Sequence, residues 1–199
     1  MIDVFSPIYS TVFLQGTSTS SSEALPSNGS VLRIDNTGPN TAFIRLGNTS
    51  VVATTSDCPI LNGKTLYISR NPDISTQQFA AIICNATETA DANAITGYSS
   101  MKSIGFTPVP GATATLSATT TSSSGSIGTL GDRIRVVNAG SAAAFVQIGT
   151  TGVTATSSSL CILSGDEIII PRGISGDNLI AAITSSGTAT VYATPGYGG

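Results

Sequence analysis

Short runs rich in Val, Ile, Thr, Phe and Tyr alternate with clusters of Gly, Asn, Ser and Pro along the whole chain. That is the pattern of β-strands separated by turns. No window of a dozen residues places apolar side chains at spacings of three and four, and Leu, Glu, Lys and Gln are scarce, so helices are not expected. The pattern predicts strands near residues 10–15, 31–36, 41–47, 49–54, 64–69, 79–84 and 92–98. A second set is expected near 112–119, 133–138, 142–149, 151–156, 166–171, 178–184 and 188–194. Alternation is clearest in Ala144-Phe145-Val146-Gln147-Ile148, where 144, 146 and 148 face one way and Phe145 and Gln147 the other. Asn138-Ala139-Gly140-Ser141 and Leu163-Ser164-Gly165-Asp166 read as hairpin turns whose Asn and Gly residues accept positive φ cheaply. About seven strands per 100 residues, with frequent turns, is the pattern of an antiparallel β-sandwich or jelly roll.

The two strand sets are one text written twice. At an offset of about 102 residues, Arg33, Asn36, Gly38, Phe43, Gly47, Gly63 and Arg70 recur as Arg135, Asn138, Gly140, Phe145, Gly149, Gly165 and Arg172. One small gap then matches Phe79-Ala-Ala-Ile82 to Ile180-Ala-Ala-Ile183, and the match ends with Gly97-Tyr98 against Gly196-Tyr197. A period near 100 residues is too long for a solenoid, whose units run roughly 20–50, and it fits one small domain. The expectation is therefore an all-β protein of two tandem antiparallel β-sandwich, jelly-roll-like domains from an internal duplication. The modules are expected at 1–103, with an extended arm, and at 104–199. Phe106-Thr-Pro108 answers to Phe5-Ser-Pro7, so each module begins with a Pro-containing arm. Such an arm runs along the domain surface or across to a neighbouring chain, because Pro is confined to sheet edges. The Ser/Thr tracts at 16–22 and 118–126 occupy equivalent positions, which makes them a solvated loop of the module rather than a linker.

Charge is sparse: Lys plus Arg 8 against Asp plus Glu 11, a net of −3. Without clustered Lys and Arg nothing here condenses onto phosphate, so no nucleic-acid partner is expected. Solubility must rest on neutral Ser, Thr, Asn and Gly, a surface suited to packing into large assemblies. The N-terminus, Met-Ile-Asp-Val-Phe-Ser-Pro, has no signal-peptide pattern, and no apolar run approaches the ~20 residues of a membrane span. No membrane partner is expected, and the protein is expected to stay in the cytoplasm that makes it unless it leaves inside a particle. The sequons at Asn28, Asn48 and Asn85 then read as chance in a Ser/Thr-rich chain.

The chain has no His, which removes the commonest general base and metal ligand together. Its acids are scattered and mostly lack a counterpart in the other copy, and Asp91 with Asn93 meets no calcium-loop template. No catalytic residue, cofactor or metal is therefore expected. Cys58, Cys84 and Cys161 do not occupy equivalent places (Cys58 and Cys161 miss by one residue) and read as buried free thiols. Phe43 and Phe145 read as core aromatics. Tyr98 and Tyr197, ending each module, read as buried tyrosines with bonded hydroxyls, the alternative being a platform for a ligand. The arginines carry more information, because Arg33 with Arg135 and Arg70 with Arg172 are charges kept at equivalent places. One reading is a bidentate contact to a carboxylate of an adjacent subunit. The other is an ion pair within the module or a capping contact at a strand end. With the arm residues Phe5, Pro7 and Tyr9, these four arginines form the candidate interface.

The segment Arg135-Val-Val-Asn-Ala-Gly-Ser-Ala-Ala-Ala-Phe-Val-Gln-Ile-Gly, the following Thr-Thr-Gly-Val-Thr-Ala-Thr, and residues 179–199 resemble small virion proteins of tailed bacteriophages. The likeness is to head decoration, cement or head-fibre components, commonly β-sandwich modules that bind as trimers over capsids. It implies a non-enzymatic protein that decorates or cements a capsid surface. Its partners would be the major capsid protein and copies of itself in a homotrimer, and its place a virion assembled in the host cytoplasm. The free arm favours the first module as the one nearer the lattice. A tail or head-fibre adhesin that binds a host-surface glycan is the alternative.

Overall fold

The computed structural model describes residues 5–8, 11–71, 73–84, 89–99, 105–173 and 176–198. The chain divides into two compact units, Met1–Gly111 with Gly198–Gly199, and Ala112–Tyr197. The expected division at 103/104 falls in the stretch 100–104, outside the described residues. Phe106, the counterpart of the arm residue Phe5, is buried in the apolar core of the first unit. Its backbone N–H donates to the Tyr67 carbonyl (3.1 Å).

The first unit contains β1 (Phe5–Pro7), β2 (Val12–Gly16), β3 (Ser21–Ala24), β4 (Val31–Asn36), β5 (Ala42–Gly47), β6 (Cys58–Ile60), β7 (Thr65–Ser69), β8 (Phe79–Cys84) and β9 (Ala90–Ser99). The two-residue β10 (Thr107–Pro108) follows. The second contains β11 (Ala114–Ala118), β12 (Ser123–Ser126), β13 (Arg133–Asn138), β14 (Ala144–Gly149), β15 (Leu160–Ile162), β16 (Glu167–Pro171), β17 (Leu179–Thr184) and β18 (Ala189–Tyr197). Among the described residues the sole helix is the 3-10 turn Ser75–Gln77.

Strand order fixes the fold. In the first unit β2 and β1 both pair with β9, which continues to β4 and β7, while the facing sheet runs β3-β8-β5-β6. In the second unit the same orders recur as β11-β18-β13-β16 and β12-β17-β14-β15. All these pairings are antiparallel, and successive strands mostly cross from one sheet to the other. Two four-stranded sheets wound in this way form a jelly roll. The chain is thus two tandem antiparallel β-sandwich domains of jelly-roll type, arising by internal duplication.

Each core lies between its two sheets, where alternation delivers every second side chain. Leu14, Leu32, Ile34, Ile44, Ile60, Ile68 and Ile82 fill the first, and Leu116, Ile134, Val136, Val146, Ile162, Ile180 and Val191 the second. Phe43 is fully buried, as expected of a core aromatic, whereas Phe145 is not. They stand on the outer face of their sheets, between the core-facing pairs Ala42/Ile44 and Ala144/Val146, with Phe43 buried and Phe145 half-buried. A one-residue displacement changes face in a strand, and Cys161 shows the consequence. Cys58 lies opposite Ile44 and is buried, whereas Cys161 lies opposite Phe145 and is exposed, contrary to the expectation of three buried thiols.

The same rule corrects the sequence alignment. Gly47 pairs with Phe79 and Gly149 with Leu179, so Phe79 corresponds to Leu179 and not to Ile180. The core-facing residues are then Ala80 and Ile82 in one copy and Ile180 and Ala182 in the other.

Three expectations about local structure are corrected by where the backbone finds its partners. Residues 49–54 and 151–156 are not strands, although their composition favours strands. The Ala53 N–H donates to Ser20 Oγ (2.8 Å) and the Ala155 N–H to Ser122 Oγ (2.9 Å), while Asn48 and Thr150 close tight turns with Val51 and Val153. The Ser/Thr tracts are exposed loops at 17–19 and 119–121, but their ends form β3 and β12, paired with β8 and β17. Residues 138–141 and 163–166 are not hairpin turns, since each joins strands of opposite sheets.

Candidate interaction surface

The crossing between sheets is held in each unit by one buried asparagine. Asn36 Nδ2 donates to the carbonyls of Asn40 and Ile60 (both 2.8 Å), and its Oδ1 accepts from the Gly38 N–H (3.1 Å). Asn138 repeats the arrangement with Ala142 (2.8 Å), Ile162 (3.0 Å) and Gly140 (2.9 Å). The glycine is required for closeness rather than for positive φ, since a Cβ on Gly140 would lie 2.3 Å from Ala189 Cα and one on Gly38 2.4 Å from the Asp91 nitrogen.

Two of the candidate arginines work in the same way. Arg70 is buried, and its guanidinium donates to the carbonyls of Gly29 (3.0 Å), Asn28 (2.8 Å), Pro26 and Gln77. Arg172 reaches the corresponding carbonyls of Gly131 (2.9 Å), Leu130 (2.7 Å), Gly128 (2.7 Å) and Asp177. Each side chain thus draws the loop before β4 or β13 onto the end of β7 or β16, so these contacts cap a strand end within the module. Burial lowers both guanidinium pKa values from the ordinary range; for Arg172 the charges of Asp177 and Tyr197 oppose the shift.

Arg33 and Arg135 diverge. Arg33 sits on the outer face of the β2-β9-β4-β7 sheet, part-exposed, with Nη2 3.0 Å from Asp35 Oδ1. Arg135, at the equivalent place, is fully buried and pairs with Glu167. Around Arg33 the register gathers an apolar set on one side of the sheet. Arg33 lies opposite both Tyr67 and Ile95, Pro7 lies opposite Gly97, and Phe13 opposite Asn93. The Phe5 ring meets that of Tyr67 edge-on, with centroids 5.9 Å apart, and Phe13 remains 53% exposed. The structure therefore brings Phe5, Pro7 and Arg33 together on one face and leaves Arg70, Arg135 and Arg172 elsewhere. Tyr9 lies outside the described residues. Of the two paths open to the arm, Phe5–Pro7 takes the one along its own domain, adding to the edge of β9 as an edge-strand proline allows.

Tyr98 and Tyr197 are not buried; they are 51% and 50% exposed. Phe13, Tyr67, Ser20, Ser122 and the Arg45–Asp57 pair were not singled out from sequence. The serines sit in low-complexity tracts where no composition signal separates one from the next, although their equivalence at an offset of about 102 residues was a usable sign. Among the described residues no group of three or more His, Cys, Asp or Glu is placed to hold a metal ion, and no helix is long and apolar enough to cross a membrane.

No protein-family model and no curated protein matches the chain. Among solved structures, the chain is similar to the major capsid protein P2 from bacteriophage PM2, with 11% identity, 98% of each chain covered and a TM-score of 0.39. It is also similar to the STIV MCP, with 8% identity, 98% of this chain and 96% of that chain covered, and a TM-score of 0.43. A third similarity is to the PBSX exported protein XepA, with 14% identity, 98% and 86% covered, and a TM-score of 0.27. These superpositions are loose, and the jelly-roll assignment rests on this chain's own strand order.

Proposed function

We propose that the protein is a non-enzymatic structural component of a virion that decorates or cements the capsid surface. The observation that carries this reading is the duplicated jelly roll itself, an architecture used by viral capsid domains and lectins. Its duplicated buried polar chemistry, the Asn36/Asn138 pegs and the Arg70/Arg172 clamps, holds loops in place. The proposed contact is the outer face that carries Phe5, Pro7, Phe13, Arg33 and Tyr67. Burial of this face against the major capsid protein or a neighbouring copy in a trimer would stabilise only the assembled lattice, which is stabilisation by mass action. The test is quantitative mass spectrometry of purified particles together with their heat resistance with and without the protein. A copy number comparable with that of the major capsid protein, and a lowered disruption temperature without it, are expected. A few copies per particle, or unchanged heat resistance, would reject the reading.

The exposure of Tyr98 and Tyr197 at equivalent places favours a second reading, an adhesin whose rings stack on a host-surface glycan. Particles lacking such an adhesin would stay heat-resistant and lose host adsorption.

A further inference from the structure

The first unit carries a polar pair that the second lacks. Asp57 is buried, and its Oδ2 accepts from the Thr54 N–H (2.7 Å) and Thr54 Oγ1 (3.0 Å), while Oδ1 accepts from the Gly111 N–H (2.7 Å). Arg45 Nη1 stands 4.0 Å from Asp57 Oδ1, too far for a hydrogen bond. Among the described residues Arg45 makes no closer polar contact, and its side chain is 38% exposed. Arg45 lines a surface pocket of about 470 Å³ whose other walls include Leu46, Asn48, Ser50, Val51, Val52, Thr76 and Pro110. In the second unit the equivalent residues are Gln147 and Ser159, and Ser159 Oγ still accepts from the Thr156 N–H (3.0 Å). The turn therefore closes without the charge, and the fold accepts a neutral residue at the arginine's place.

We infer that the Arg45 pocket binds a carboxylate on a short aliphatic stem, supplied by an acidic side chain of a polypeptide partner. A guanidinium offers a planar fork of donors that matches a carboxylate in two parallel bonds. Asp57 commits Oδ2 to Thr54 and Oδ1 to the Gly111 N–H, and at 4.0 Å it does not take up the donors of the fork. The walls set the aliphatic side chains of Leu46, Val51, Val52 and Pro110 beside the polar Asn48, Ser50 and Thr76, and they contain no aromatic ring on which a sugar would stack, which favours a glutamate-like stem over a uronate. This assignment goes beyond the virion reading and stands or falls separately, because it is tested on the free chain.

The test is a titration of the purified, ¹⁵N-labelled full chain with N-acetyl-glutamate N-methylamide, followed at the arginine Nε–Hε resonances and, in parent and variants alike, at the backbone amides of Leu46, Val51 and Val52 that line the pocket. Capped glutamine and glucuronate serve as comparison probes. R45Q identifies the Arg45 resonance and copies the residue of the second unit, and R45K keeps the charge without the fork. The expected result is a saturable shift of the Arg45 resonance and of these amides with capped glutamate, and an affinity, read from the amides, that is lowered about tenfold or more in R45Q. R45K should fall between R45Q and the parent, and it serves alone if R45Q does not fold. Absence of a saturable shift, equal binding of capped glutamine, undiminished binding in the variants, or tighter binding of glucuronate would each overturn the proposal.

Discussion

Asn36 and Asn138 each satisfy three backbone groups with a single amide, and in both units two of those groups are carbonyls reached by the same Nδ2. The side chains are almost completely buried, so water cannot replace what they supply. Asn138→Ala leaves the Ala142 and Ile162 carbonyls and the Gly140 N–H without this partner and should cost about 2–4 kcal/mol. Asn36→Ala should cost a similar amount. Both are read from the midpoint of urea unfolding at constant slope, and a loss below about 1 kcal/mol would contradict the peg role. Sequence comparison singled out both asparagines because they recur, but it read Asn138 as a turn former. The residues they tie together, 40 and 60 or 142 and 162, are too far apart in sequence for any local pattern to show.

At the scale of elements, strands whose donors and acceptors sit in regular alternation were legible: β4, β7, β8 and their counterparts fall where the sequence places them. The short edge strands were not. β3 and β12 consist of Ser, Glu, Ala and Gly, and they are strands because β8 and β17 offer them a free edge. Conversely, residues 151–156 have strand-forming composition and remain a loop, because Ser122 captures the Ala155 N–H. Ser122→Ala should leave that buried N–H unsatisfied, costing about 1–2 kcal/mol and speeding hydrogen exchange at Ala155 beyond the change in global stability. Exchange that merely tracks global stability would show that Ser122 does not pin the loop. Its counterpart Ser20, bonded to the Ala53 N–H, should behave alike.

For the whole molecule, the absence of histidine has a measurable consequence. No side chain has an unperturbed pKa between about 5 and 8, so the free energy of unfolding should be nearly flat across that range. At higher pH, Tyr192 enters. Burial raises its pKa, so its ionisation disfavours the folded state. Its stabilising contribution is complete below the unfolded tyrosine pKa of about 10 and is lost as pH rises from there through the folded value. Urea midpoints measured from pH 5 to 11 should show a plateau and then a fall, with the fall reduced in Tyr192→Phe; a transition near pH 6 would contradict the reading. By itself the sequence determined the duplication, the all-β class, the core-facing side of a clearly alternating strand such as Ala144–Ile148, and the poverty of charge and the lack of histidine. These follow from composition and from a period of two, which are local. Only the tertiary structure decided that successive strands cross between sheets, that Cys161 faces solvent and Phe145 is only half-buried, and that the phase of β17 differs from the apparent match. It also decided that Arg70 clamps carbonyls while the equivalent Arg33 and Arg135 differ in exposure. Each of these depends on which backbone or side-chain group, often forty or more residues away, reaches the same point in space, and no local pattern encodes that meeting.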